Sequence, residues 1–184
     1  MPETRRRLRE LLLEHSIRFG EFTLSSGVTS KVYIDVKSTS LLGEGATLLG
    51  SALSALALDA DGDARAVGGL TLGAGPLVTA MAIAAHGEGR DLAAMIVRKK
   101  PKGHGTDRYV EAPPTVKPAS RVIAVDDVIT TAGSTLQAVE RLRAEGYVVE
   151  HAVCVVDRQA GGEEALREAG VELHSLFRLD EFMD

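Results

Sequence analysis

The segment RVIAVDDVITTAGSTLQAVERL, Arg121–Leu142, decides the fold that we predict for this chain. Residues 122–125 form a continuous apolar run, which is typical of a strand buried on both faces of a parallel sheet. Two carboxylates, Asp126 and Asp127, follow the run directly. Because burying an unpaired carboxylate is costly, we expect both side chains at the strand's end, facing a ligand.

The residues after the aspartates predict a phosphate-binding loop. Thr130, Thr131, Gly133 and Ser134 supply hydroxyls and accessible backbone N–H groups, and a helix is predicted to begin near Ser134 or Thr135. A loop of small residues that opens a helix after a strand is suited to binding phosphate. Two carboxylates beside such a loop indicate a ligand that carries both phosphate and hydroxyl groups.

The remaining segments predict the rest of the sheet. Apolar runs in ARAVGGL, DLAAMIVRKK, VVEHAVCVVDR and VELHSLF read as strands, separated by helical segments such as EGATLLGSALSALALDA. This alternation predicts an α/β fold with a mostly parallel central sheet flanked by helices on both faces. The segment FGEFTLSSGVTSKVYIDVK alternates apolar and polar residues and predicts a hairpin that turns around residues 25–29.

Length and composition limit the classes of function. The chain has 184 residues, and residues 1–184 are predicted to form one domain with a full core. The net charge of −5 argues against a general nucleic-acid binder. Leu8, Leu11 and Leu12 recur at helical spacing, so the basic start predicts an amphipathic helix and not a leader. No apolar segment has membrane-spanning length, and a cytoplasmic protein is expected.

Two further loops carry candidate ligand contacts. Cations crowd into the segment RKKPKGHG, at Arg98, Lys99, Lys100, Lys102 and His104. Because long glycine-containing loops are uncommon unless they are functional or disordered, we predict a mobile flap that closes over a polyphosphate. The loop around Gly73–Gly75 lacks the third glycine of a dinucleotide-binding turn and the Gly-Lys-Ser/Thr of a P-loop, which argues against both of those functions.

These segments together resemble a known family. VIAVDDVITTAGST is similar to the phosphoribosyl pyrophosphate motif of the type I phosphoribosyltransferases, a superfamily whose members act on different bases. FTLSSGVTSKVYIDVK resembles the amino-terminal signature of the orotate phosphoribosyltransferases within it. RKKPKGHG resembles their catalytic loop, and VVDRQAGG resembles the segment beside their orotate. The resemblance covers nearly the whole chain in order.

The resemblance implies a Mg²⁺-dependent transfer of phosphoribose from phosphoribosyl pyrophosphate to orotate. It implies that Asp126 and Asp127 contact the ribose, with an indirect role at the metal, and that Arg98, Lys99, Lys102 and His104 meet the pyrophosphate. The implied catalytic residues are Asp126, Asp127, Lys99, Lys102 and His104. It also implies that residues 1–40 approximately form a small hood, and that the protein is a homodimer whose cationic loop is shared between subunits. The remaining implied contacts are Val128, Ile129, Thr130, Thr131, Ala132, Gly133 and Ser134 for phosphoribosyl pyrophosphate, and Ser25, Tyr33, Ile34, Thr130 and Arg158 for orotate.

Two positions depart from the family pattern, and two alternatives stay open. Ser25 and Gly73 stand where many members have lysine, so backbone groups or a cation elsewhere must substitute. A phosphoribosyltransferase for a purine base would use the same phosphate loop with a different pocket. A regulator of the same fold could bind phosphoribosyl pyrophosphate without catalysis, although it would not need a cationic loop to stabilise a departing pyrophosphate.

Overall fold

A computed structural model describes residues 2–23, 29–101 and 108–183. From the third strand onward its helices and strands alternate, except that β5 lies between β4 and β6 without an intervening helix. In chain order they are α1 (Pro2–His15), β1 (Ile17–Thr23), β2 (Thr29–Ile34), α2 (Lys37–Ser40), α3 (Gly43–Ala60), β3 (Ala66–Leu70), α4 (Ala74–Gly87), β4 (Ala93–Val97), β5 (Val110–Glu111), β6 (Val122–Ile129), α5 (Gly133–Ala144), β7 (His151–Asp157), α6 (Gly162–Glu168), β8 (Glu172–Arg178) and a 3₁₀ helix (Leu179–Phe182).

The main sheet has six strands in the order β5-β4-β3-β6-β7-β8, and all neighbours are parallel except β4 and β5. The predicted α/β class with a mostly parallel sheet is confirmed. The segment after the cationic loop differs from the prediction, because part of it forms the two-residue strand β5 and not only loop. That strand pairs with β4 and thereby returns the chain to the sheet edge.

Apolar residues on both faces of the strands explain why the sheet is covered on both sides. Ile123 and Val125 of β6 belong to one buried cluster, which also contains residues of α1, α3 and α4. Val122 and Ala124 point to the other face and join a second cluster with residues of α5 and α6. Side chains along a strand alternate between the two faces of the sheet, so a continuous apolar run contributes buried side chains to both faces.

The first helix and the hairpin lie beside the main sheet. Leu8, Leu11 and Leu12 are almost fully buried, which confirms the predicted amphipathic helix α1. Strands β1 and β2 pair antiparallel as a separate two-stranded sheet, which confirms the predicted hairpin, whose turn lies outside the described residues. Within the described residues, no helix is both long and apolar enough to cross a membrane.

Candidate functional site

The aspartate pair lies inside β6 and not after it. We predicted that the strand stops at Val125, but β6 continues to Ile129. The reason is the neighbouring strand, because Asp126 pairs with Cys154 and Val128 with Val156 in a parallel ladder. Asp126 is only 5% exposed, so its carboxylate must find hydrogen-bond donors within the protein.

The donors to Asp126 are the next residue in the chain and two residues at the start of α5. Its Oδ2 accepts hydrogen bonds from the hydroxyls of Ser134 (2.7 Å) and Thr135 (2.8 Å), and its Oδ1 accepts one from the backbone N–H of Asp127 (3.0 Å). Hydrogen bonds to a charged acceptor are stronger than those between neutral groups. Asp126 therefore fixes the start of α5 against β6, and the hydroxyl of Ser134 is directed at this carboxylate.

Asp127 is the half-buried member of the pair, and its environment disfavours the charged form. Burial, the neighbouring Asp126 charge and a hydrogen bond to Asp126 together raise the pKa of its carboxyl from the usual 3.8 to about 6, with burial the largest cause. The cation of Lys37 opposes this shift. Strongly shifted carboxyls of this kind are concentrated at functional sites.

The Asp127 carboxylate can lie where it does only because residue 73 is glycine and has no Cβ atom. A Cβ atom built on Gly73 would lie 2.4 Å from Asp127 Oδ1 and 2.7 Å from its Cγ. Gly75, two residues later in the same helix start, has no atom within 4 Å of such a Cβ. In this structure the carboxylate of Asp127 thus occupies the place that the first atom of any side chain at residue 73 would need.

Lys37 is a site residue that the sequence analysis missed. It is the first residue of α2, and its Nζ lies 2.5 Å from Asp35 Oδ1. The hydrogen bond to Asp35 raises the pKa of Lys37, and the charge of Asp127 raises it further against the opposing effect of burial. The signal was the absence of lysine at Ser25 and Gly73, which required a cation from elsewhere. Lys37 is a cation whose charge acts on Asp127 of the aspartate pair.

The phosphate loop exposes backbone more than side chains. Ala132 has the left-handed conformation (φ 61°), and α5 begins at Gly133, one residue before the predicted start. The first N–H groups of a helix have no partner within the helix and point out from its end. Thr131, Gly133 and Ser134 are exposed, and Thr130 is half-buried. Ile129 and Ala132 are buried in the core and Val128 is half-buried against it, so Ile129 and Ala132 face a ligand chiefly through their backbone.

Arg158 connects the end of β7 to the hairpin. Its guanidinium donates to Ser30 Oγ (3.0 Å) and to the carbonyl of Val32 (3.2 Å), both on β2. Tyr33 on the same strand is 42% exposed and Ile34 is half-buried. The structure therefore brings Arg158 together with the hairpin residues that were predicted to line a pocket, while Ser25 lies outside the described residues.

The described ends of the cationic loop are held by α5. Arg98 pairs with Glu111 (3.1 Å), and Lys99 is exposed, whereas Lys102 and His104 lie outside the described residues. The guanidinium of Arg141 donates to the carbonyls of Arg98 and Lys99 and stacks 4.2 Å from the Tyr109 ring centroid. Arg141, which the sequence analysis did not single out, thus links both ends of the cationic loop to α5.

Comparisons with known proteins give the family of the whole chain. The orotate phosphoribosyltransferase of Thermosynechococcus vestitus is 46% identical over 183 residues, which cover 98% of this chain and 94% of the relative. The solved orotate phosphoribosyltransferase of Mycobacterium tuberculosis has 36% identity and a TM-score of 0.83, with 97% and 98% of the two chains covered. Its complex with 5-phospho-α-D-ribosyl 1-diphosphate has 33% identity and a TM-score of 0.80, with 98% and 99% covered. No protein-family model matches the chain.

Proposed function

The chain belongs to the orotate phosphoribosyltransferase family, and from this membership we propose how its own residues perform the family's reaction. The reaction transfers the 5-phosphoribosyl group from phosphoribosyl pyrophosphate to orotate, giving orotidine 5′-monophosphate and pyrophosphate in pyrimidine biosynthesis. One observation carries the proposal. The carboxylate pair on β6 leads into the phosphate loop at the start of α5, next to Arg158 at the end of the neighbouring strand.

A product assay with alternative bases tests the assignment. The protein is incubated with phosphoribosyl pyrophosphate and Mg²⁺ and with orotate, adenine, xanthine or uracil, and the nucleotide formed is identified. Product is expected with orotate alone. A nucleotide formed from adenine or xanthine would support a purine-base enzyme, and no product from any base would support a non-catalytic regulator.

The two aspartates divide the work at the ribose. Breaking the bond between ribose C1 and the pyrophosphate builds positive charge on the sugar ring, and a fixed carboxylate nearby stabilises that charge. Asp127 is the carboxylate free to face the ribose, since Asp126 already accepts three hydrogen bonds from the protein. Asp126 serves by holding the phosphate loop against β6, and the N–H groups at the start of α5 bind the 5′-phosphate.

The leaving group is stabilised by cations. A Mg²⁺ ion fits the donor set, because Asp127 offers hard carboxylate oxygens and substrate oxygens can complete the ligands. When bound, the ion supplies positive charge that lowers the energy of the departing pyrophosphate. Asp126 would contribute indirectly, by orienting the loop. Arg98, Lys99, Lys102 and His104 are proposed to meet the pyrophosphate from the cationic loop, His104 as a hydrogen-bond donor or an acid.

Lys37 is proposed to supply the charge that the family pattern places elsewhere. Replacing it with methionine keeps the apolar stem and removes the cation, so the pKa of Asp127 should rise above about 6. If Asp127 must be ionised for turnover, kcat/KM falls on the acid side of this pKa, and Lys37→Met should shift that acid limb to higher pH. The measurement is kcat/KM for phosphoribosyl pyrophosphate against pH for both proteins. A limb caused by titration of the substrate would stay in place.

Gly73 is proposed to keep space for the Asp127 carboxylate. Gly73→Ala should push this carboxylate aside and lower kcat roughly ten-fold, because small displacements of a positioned group cost large factors in rate. Gly75→Ala is the matched control, since its Cβ meets open space in the same helix start. Steady-state kinetics of the two variants make the comparison. Equal rates in both would show that Asp127 is not sensitive to its neighbour.

Arg158 is proposed to recognise the carboxylate of orotate from the base pocket, with Tyr33, Ile34, Ser25 and Thr130 lining that pocket. Arg158→Ala should raise the KM for orotate about ten-fold or more and leave the KM for phosphoribosyl pyrophosphate nearly unchanged, because a charge-assisted hydrogen bond is lost. Arg167→Ala, at an exposed arginine of α6, is the control. An equal rise in both KM values would place Arg158 on the phosphate side or in a structural role.

The proposed assembly is a cytoplasmic homodimer of one-domain subunits, with residues 1–40 forming the hood over the base. The large apolar side chains of Leu41, Leu42, Leu72 and Ile83 are exposed in the described part of the chain, near the ends of α2 and α3 and along α4. We propose that these side chains are covered at the subunit interface. Phosphoribosyl pyrophosphate and both products carry several negative charges on phosphate groups, so a membrane retains them inside the cell. Neither a nucleic acid nor a membrane is a proposed partner.

A further inference from the structure

Three metal-binding side chains meet at the amino ends of β7 and β8, on the side of the sheet opposite to the carboxyl ends that carry the aspartates and Arg158. We propose that His151, Glu172 and His174 form a binding site for a transition-metal dication of the Zn²⁺ class. We refer to these three residues as the histidine cluster. None of them takes part in the reaction described above.

The strand register places the three side chains on one face. His151 is the first residue of β7, and it pairs with Glu172, the first residue of β8. Paired residues of neighbouring strands point to the same face, and residues two apart along one strand also share a face. His174 is two residues beyond Glu172, so it joins them. The arrangement thus follows from regular strand pairing and requires no unusual backbone.

The distances between the ligand atoms suit a single ion. His151 Nδ1 lies 3.2 Å from His174 Nε2, and each of these nitrogens lies 3.9 Å from a carboxylate oxygen of Glu172. Bonds of about 2.0–2.2 Å in a tetrahedral zinc site place neighbouring ligand atoms about 3.3–3.5 Å apart. The imidazoles are already at this separation. The two 3.9 Å distances are to different oxygens of Glu172, Oε2 for His151 and Oε1 for His174, and the exposed Glu172 side chain can rotate to bring its carboxylate to the ion.

The donor chemistry selects the class of metal. Two imidazole nitrogens and one carboxylate oxygen suit Zn²⁺ and its neighbours in the first transition row, whereas Mg²⁺ and Ca²⁺ prefer oxygen ligands alone. A histidine binds metal as the neutral imidazole.

The site is accessible and remote from the active site. His151 and Glu172 line an open depression of about 620 Å³, together with Glu150, Glu163 and Arg167. This opening gives the ion a path of entry and leaves a fourth position for water. Along β7, Asp157 at the other end is the sixth residue after His151, a span of about 20 Å. A metal here would tie the edge strand β8 to β7 and would not act on the substrates.

Zinc binding by the purified protein tests the proposal. Metal is removed with a chelator, and Zn²⁺ is titrated in the presence of excess Mg²⁺, which occupies sites made of oxygen ligands. One Zn²⁺ per chain is expected for the wild type, with a rise in Tm. His174→Ala should weaken binding by more than the roughly 10- to 100-fold that follows loss of an outer hydrogen-bond partner of a ligand. The control, His86→Ala at an exposed histidine of α4, should bind Zn²⁺ like the wild type.

A second variant and a second metal ion provide two further tests of the site. If His174→Ala does not fold, Glu172→Gln is used, since Glu172 is exposed and its charge can be removed without a cavity; binding about ten-fold weaker is expected. Co²⁺ in place of Zn²⁺ should give the visible absorption of a tetrahedral ion in the wild type but not in either variant. Failure of the wild type to bind Zn²⁺, or equal binding by the cluster variants, overturns the proposal. The orotate reaction should proceed at the same rate in all of these proteins at saturating Mg²⁺.

Discussion

Replacing Asp127 with asparagine is expected to lower turnover by about 10²-fold or more while the fold stays intact. The amide has the same shape as the carboxylate and removes only its charge, and loss of one group that stabilises a transition-state charge has an effect of this size. Steady-state kinetics with orotate and phosphoribosyl pyrophosphate measure the change. Near-normal turnover with near-normal affinity for phosphoribosyl pyrophosphate would contradict the role of Asp127.

The same variant is expected to be more stable than the wild type at neutral and alkaline pH. The pKa of Asp127 is about 6 in the folded protein and 3.8 in its ordinary state, so the folded protein holds this proton more tightly than the unfolded chain. The contribution of Asp127 to stability is therefore largest below about pH 4 and is lost as the pH rises through about 6. Asparagine has no proton to lose, so it avoids this loss.

Thermal unfolding across the pH range measures the difference. The Tm of Asp127→Asn should exceed that of the wild type above about pH 6, and the two values should converge as the pH falls toward about 4. Ser134→Ala is a useful contrast, because it removes a donor to the buried Asp126 carboxylate and should lower the Tm. A variant that is inactive and also less stable at every pH would indicate that Asp127 is structural.

The mostly parallel sheet was predictable because its strands and helices follow from local patterns. Continuous apolar runs, helical spacing of leucines and the alternation of strands and helices each depend on nearby residues only. The end of β6 was not predictable in this way. Asp126 continues the strand because Cys154 and Ser175 extend the parallel ladder beside it, and because Ser134 and Thr135 satisfy its carboxylate. Those partners come from later parts of the chain.

The residues of the candidate site also differ in whether nearby sequence alone predicts their role. The aspartates, the phosphate loop and Arg158 belong to contiguous motifs that carry their meaning in sequence. Lys37 and Arg141 lie within quoted segments, but their roles depend on the folded chain, which shows the charge of Lys37 acting on Asp127 and Arg141 stacked on Tyr109. The histidine cluster likewise depends on the register between β7 and β8, which no single segment of sequence records.

A heterodimer carrying one intact site tests whether the cationic loop acts across the proposed dimer. One subunit carries Lys102→Ala in the loop, and its partner carries Asp127→Asn beside the phosphate loop. The two are co-expressed with different tags, and the mixed dimer is isolated by both tags. If each loop serves the partner's site, one site has intact aspartates and an intact loop, while the other carries both defects. Activity about half that of the wild-type dimer is expected.

The reciprocal heterodimer provides the control, because its outcome is reversed. Here one subunit carries both Lys102→Ala and Asp127→Asn, and the other is wild type. With loops that act across the dimer, each site then contains one defect, so the mixed dimer should be nearly inactive. With loops that act within their own subunit, the wild-type subunit would keep its full site and the dimer would show about half of the wild-type rate. Because the two models exchange their predictions between the two heterodimers, a general loss of activity cannot imitate either result. An active reciprocal dimer together with an inactive first one would therefore reject the shared site and assign the loop to its own subunit.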